Sequence, residues 1–134
     1  MRTITVETRG PGLYEITGEV ARDVGREGVA TVFVRHTSCS LLIQESADPD
    51  VQRDLRAFFE RLVPDADDPT MDYLFHRAEG PDDMPAHIKA AMMPVSLSIP
   101  VTDGRMMLGT WQGIYLVEHR ARPHRREVVV VPAR

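Results

Sequence analysis

Several segments of this chain carry β-branched and aliphatic residues in strand-like patterns, and the links between them are short. Val95, Leu97, Ile99 and Val101 alternate with Ser96 and Ser98, so one face of a strand is set for burial. Val29–Val34 and Arg126–Val131 are rich in β-branched residues and read the same way. Thr102-Asp103-Gly104 follows the alternating segment as a hairpin signal. Connections this short leave no room for repeated crossover helices, which argues against a parallel, doubly wound sheet. Further strands are expected at Arg2–Thr8, Leu13–Ile16, Leu41–Ile43, Arg105–Leu108 and Gly113–Glu118. The expected class is α+β, one domain over residues 1–134, built as a mostly antiparallel β-sheet sandwich with two or three short helices.

The clearest helix begins after Ala47. Asp48 is a good N-cap and Pro49 suits the first turn, after which Val51, Leu55, Phe58, Phe59 and Leu62 recur at helical spacing. A second helix is expected over Met84–Met92, with Pro85 in its first turn. A third, capped by Thr17, would place Val20 and Val24 inward and end at Gly25 or Gly28. Pro64–Pro69 and His76–Pro85 read as irregular segments.

Composition narrows the functional classes. A net charge of −4 in 134 residues gives no basic surface for nonspecific binding to nucleic acid or to an anionic membrane. Cys39 is the single cysteine, which excludes an intrachain disulfide and fits a reducing compartment. No apolar run has the length of a membrane span, and the first residues lack a signal-peptide pattern, so a cytoplasmic location is expected.

Four polar clusters interrupt the strand pattern. His36-Thr37-Ser38-Cys39-Ser40 follows a strand and suits proton transfer, ligand binding or an ordinary hydroxyl-bonded turn. Glu45 precedes the Asp48 cap and is open to roles as general base, metal ligand or exposed charge. His76 and His87 bracket Glu79, Asp82 and Asp83, a composition suited to a cation, although the spacing of the histidines matches no local metal motif. Trp111 and Gln112 lie among glycines, followed by Glu118 and a basic run from Arg120 to Arg126 that is either a solvated edge or a phosphate attractor.

Taken in order, His36-Thr37-Ser38, Glu45, Asp48-Pro49, Tyr73–His76, Pro85-Ala86-His87-Ile88-Lys89-Ala90, Ser96–Pro100, Leu108-Gly109-Thr110-Trp111-Gln112 and Glu118 resemble the YjbQ family. Gln44, Ser46 and Met93-Pro94 depart from that family's usual pattern. The resemblance implies a homotrimer with secondary thiamine-phosphate synthase activity. In that reaction an aminopyrimidine-methyl diphosphate is coupled to a thiazole phosphate and pyrophosphate is released. It implies that the clusters form one site. In it His36, Glu45 and Gln112 would be catalytic, Thr37, Ser38, Trp111 and Arg120 would bind substrate, and His76, His87 and Glu118 would hold a divalent metal, zinc or magnesium. The expected partner is a small phosphorylated metabolite. The alternatives are a trimeric metal- or metabolite-binding protein without turnover and a phosphate-ester hydrolase.

Overall fold

The structure is a computed structural model that describes residues 1–134. Its elements are β1 (Arg2–Glu7), β2 (Gly12–Glu15), α1 (Thr17–Ala21), β3 (Gly28–Val34), β4 (Cys39–Glu45), α2 (Pro49–Leu62), a 3-10 turn (Pro69–Met71), α3 (Asp83–Met92), β5 (Ser96–Thr102), β6 (Arg105–Met106), β7 (Gln112–Glu118) and β8 (Arg125–Val131). Every strand pair is antiparallel. One sheet has the order β1-β8-β3-β5-β6 and the other β2-β7-β4. The expected α+β class with mostly antiparallel strands is what the chain adopts.

Alternation fixes which side of the large sheet is buried. Ala30, Val32 and Val34 of β3, Ile99 and Val101 of β5 and Val128 and Val130 of β8 face the core. Leu41 of β4 and Ile114 and Leu116 of β7 close it from the small sheet. β7 differs: every residue from Gly113 to Glu118 is buried, with β2 and β4 paired to its two edges, Ile114 and Leu116 in the core, and Gln52 of α2 reaching the Tyr115 hydroxyl on the other face. No helix is long and apolar enough to cross a membrane.

Local chemistry explains the helix starts. Asp48 caps α2, its carboxylate accepting the Asp50 N–H at 2.9 Å, with Pro49 in the first turn. The Asp103-Gly104 turn has φ of 51° and 75°, the two positive values a tight hairpin between β5 and β6 needs. Several boundaries depart from the sequence pattern. Thr17 does not cap α1. It is the first helical residue, and its hydroxyl accepts the Ile114 N–H and donates to Glu15. α1 ends at Ala21, before either glycine. Gly25 serves packing instead, since a Cβ there would lie 2.0 Å from the Ala133 carbonyl oxygen. β4 starts at Cys39, because Cys39 and Ser40 pair with Glu118 and Val117. β6 is only two residues long.

Candidate metal centre and the groove beside it

The first turn of α3 builds the site. Asp83 and His87 are one turn apart and project from the same helix face. His76, from the segment before α3, reaches the same carboxylate. Asp83 Oδ2 lies 2.7 Å from His76 Nε2 and 3.1 Å from His87 Nε2, while Oδ1 lies 2.7 Å from Arg120 Nη1. Asp83 is 1% exposed. Burial works to raise its pKa, but hydrogen bonds within the cluster and the Arg120 charge outweigh it and hold the carboxyl below its usual range.

The orientation of His87 is set from behind. Its Nδ1 donates to the Thr37 carbonyl at 2.7 Å, so in the neutral ring Nε2 carries a lone pair aimed at Asp83. Two acceptors facing each other require a shared proton or a cation between them. The three ligand atoms of His76, Asp83 and His87 lie within 4.8 Å of one another. Neighbouring ligands around a tetrahedral zinc ion sit roughly 3.3 Å apart, given bonds of about 2.0–2.1 Å. The Asp83–His87 separation of 3.1 Å is close to that edge. Two imidazoles and one carboxylate suit zinc better than magnesium, which prefers oxygen ligands. The Thr37 carbonyl behind His87 and the Arg120 guanidinium behind Asp83 are the outer-shell partners such a centre needs.

His87 also lines a groove of about 510 Å³. Phe33, Val34 and Val95 give it an apolar floor, and Arg35, His36 and Thr37 put polar groups at its edge. His36 already accepts the Glu127 backbone N–H at Nε2, 2.8 Å away. Burial first, and the nearby Arg126 charge second, hold its pKa below the ordinary histidine value.

The other expected site residues are placed elsewhere. Glu118 is not among the clustered ligand atoms. Its carboxylate accepts from Thr8, from the Arg126 guanidinium and from the N–H groups of His119 and Arg120, which leaves no lone pair free for a metal. Arg120 does not face a substrate groove. It is buried, bridges Asp82 and Asp83, and donates to the Glu79 carbonyl. Ser38 is buried against Arg126. Glu45 accepts the Ala47 and Asp48 N–H groups just ahead of α2. With Trp111 and Gln112 it lines a separate depression of about 350 Å³. Gln112 Oε1 there accepts the Gly109 N–H, and Trp111 is 61% exposed, a surface ring instead of a core one. The expected single site is therefore two surfaces within one chain. Cys39 is buried, and burial pushes its thiol up to about 11, which makes it unreactive.

The sequence put Glu79, Asp82 and Asp83 between the two histidines in one cation-suited cluster but did not single out Asp83, because the spacing between the histidines alone points to no motif. The available signal was Asp83-x-x-x-His87 at the start of a helix, the spacing that puts two side chains on one face.

Fold and cluster together define an antiparallel α+β protein that gathers two imidazoles and a buried carboxylate, one of the imidazoles, His87, also lining a largely apolar groove. The chain belongs to the YjbQ family: residues 2–133 match the family described as UPF0047 protein YjbQ-like. It is 49% identical over 131 residues to a UPF0047 protein of Synechocystis, covering 95% of this chain and 86% of that one. It is 38% identical over 133 residues to the UPF0047 protein YjbQ of Escherichia coli O157:H7, covering 96% and 93%. A conserved hypothetical protein of Thermus thermophilus shares the fold with a TM-score of 0.86 and 33% identity, over 99% of this chain and all of that one (100%). A YjbQ/UPF0047-family protein of Clostridium acetobutylicum superposes with a TM-score of 0.85 at 34% identity, over 98% of each.

Proposed function

We propose that His76, Asp83 and His87 bind a divalent metal, zinc by its donor preference, and that this centre serves a transferase of thiamine-phosphate synthase type. The observation that carries the reading is the convergence of His76, Asp83 and His87, whose ligand atoms lie within 4.8 Å of one another, with His87 Nδ1 held by the Thr37 carbonyl so that Nε2 faces the buried carboxylate. When bound, the metal supplies positive charge for a leaving diphosphate, which a chain of net charge −4 does not offer as a general surface property. The apolar floor beside His87 suits a flat aminopyrimidine ring, and Arg35 at its edge suits a phosphate. His36 lines the same groove and is the candidate to hold or move a proton there. The resemblance also supports a homotrimer, and Val29, Phe33 and Val131, exposed on the outer side of the five-stranded sheet, offer apolar surface for it.

Binding without turnover is the second reading. It is favoured by the engagement of His36 Nε2 with the Glu127 N–H and of Glu45 Oε2 with the Ala47 and Asp48 N–H groups, which ties those atoms to the backbone. One experiment separates the two. Chelated, metal-restored and His87→Ala proteins are incubated with an aminopyrimidine-methyl diphosphate and a thiazole phosphate, and pyrophosphate is measured beside metal content. Synthase chemistry predicts metal-dependent release that falls about 100-fold in His36→Ala. Stoichiometric metal without pyrophosphate supports binding alone. Metal content unchanged in His87→Ala removes the centre itself.

A further inference from the structure

A second cavity, of about 470 Å³, is lined by Asp82, whose carboxylate holds Arg120, and by neither His76 nor His87. Lys89 of α3 and His119, which follows β7, are both among its lining residues. Lys89 is the only lysine in the chain and is 8% exposed, yet its ammonium makes no ion pair or hydrogen bond with the protein. No fully buried side-chain nitrogen or oxygen lacks a partner, so the Lys89 ammonium keeps some open surface; of the two hollows that Lys89 and His119 line, only this one has room for a ligand, the other holding about 20 Å³. A nearly buried cation without a protein partner is costly unless something else meets it. His119 is 5% exposed; its Nε2 is 2.9 Å from the Ser40 hydroxyl, and its Nδ1 has no protein partner.

The same cavity is lined by five carboxylates, which differ in what they already hold. Asp82 is taken by Arg120 and the Ala121 N–H, Glu60 by Arg56, and Asp68 by Thr70. Asp65 and Asp67 have no ion partner, and neither lies within 4.0 Å of the Lys89 ammonium. One unpaired cation and two unpaired carboxylates thus line one cavity with a gap between them.

We propose that this cavity binds a small amino-acid-like zwitterion, its carboxylate against Lys89 and His119 and its ammonium against Asp65 and Asp67. A simple anion would meet the carboxylates, and a simple cation would meet Lys89. Only a molecule carrying both charges answers both.

Calorimetric titration with glycine, 4-aminobutyrate and 6-aminohexanoate tests this, with hexanoate and hexylamine as single-charge controls. EDTA is present throughout, so that chelation at the imidazole cluster plays no part. At least one amino acid is expected to bind about tenfold more tightly than either control, the equivalent of one added charge contact. Lys89→Met should abolish the preference over hexylamine, Asp67→Asn should reduce the preference over hexanoate, and His87→Ala should change neither. Asp67 is exposed, so its variant decides the matter even if Lys89→Met fails to fold. Hexylamine binding as well as every amino acid would overturn the proposal, as would the absence of saturable binding by all three. A preference that survives in both Lys89→Met and Asp67→Asn would also overturn it.

Discussion

Glu118 and Asp83 are both buried carboxylates that pair with a buried arginine, yet they do different things. Glu118 is saturated: Thr8, the Arg126 guanidinium and two backbone N–H groups occupy it. Burial alone would raise its pKa, but these donors prevail and hold it low. Asp83 gives Oδ1 to Arg120 and turns Oδ2 toward two imidazole nitrogens, one of them on the groove-lining His87. The difference lies in the spare lone pairs. A carboxylate whose donors are all fixed by the fold holds the fold together, whereas one that shares an oxygen between two exchangeable partners has room for a cation.

The largest effect should come from breaking the saturated carboxylate. Glu118→Ala leaves Arg126 buried without its partner, and loss of about 3–5 kcal/mol is expected. Urea unfolding should show a lower midpoint with an unchanged slope. A loss below about 1 kcal/mol would mean that Arg126 finds other partners and that Glu118 is no anchor.

Next comes the acid side of the same region. Burial, followed by the Lys89 charge, pulls His119 down to about 4 from 6.5. Between those values the unfolded chain binds a proton that the folded chain refuses, so stability falls as pH drops through the window. The full difference is on the order of 3 kcal/mol, since each pH unit across that window is worth roughly 1.36 kcal/mol. His119→Gln removes its titration and should make the profile shallower between pH 6.5 and 4, where His36, also held low, still contributes, while Glu118 weakens the protein at lower pH. Identical slopes in wild type and variant across that window would show that His119 is not the group responsible.

The contrast between the two carboxylates was not legible in the sequence, although much around them was. The alternation of Val95–Val101 and the capping chemistry of Asp48-Pro49 are local, and both survive in the structure. Cys39 and Ser40 read as turn chemistry because small polar residues carry no strand signal of their own. Pairing with β7 decided the matter. Glu118 read as a metal ligand because its polar partners are remote. Thr8 is 110 residues away in sequence, and nothing local announces that bond. Trp111 is exposed because it lies in the turn just before β7, outside the covered run from Gly113 onward. His76 and His87 were legible with Glu79, Asp82 and Asp83 through composition, but which of the three carboxylates meets both rings became visible only when α3 was placed.

A smaller effect is expected at the open carboxylate. Asp83→Asn keeps the size of the side chain and some hydrogen bonding to Arg120 but removes the charge that would ligate metal. Zinc affinity should fall about 10- to 100-fold, the equivalent of roughly 1.4–2.7 kcal/mol. Competition against a chromogenic chelator measures it. Unchanged affinity would leave the two histidines without their carboxylate partner and would reduce the comparison to one of burial alone.

The smallest effect on stability should come from His76, and it sharpens the contrast most. Its ring is partly exposed, and its side-chain contacts are with Asp83 and, at 3.8 Å, Glu79. His76→Ala removes no core packing and leaves Arg120 in place against Asp83, so unfolding free energy should change by about 0.5 kcal/mol or less. If His76 were merely a structural partner of Asp83, zinc binding would be equally indifferent to its loss. If it is a ligand, zinc affinity should drop although stability does not, because an exposed donor contributes to the metal and little to the fold. Measuring both quantities on the same preparation decides between these outcomes. A large stability loss with unaltered zinc binding would place His76 beside Glu118, as a group the fold consumes.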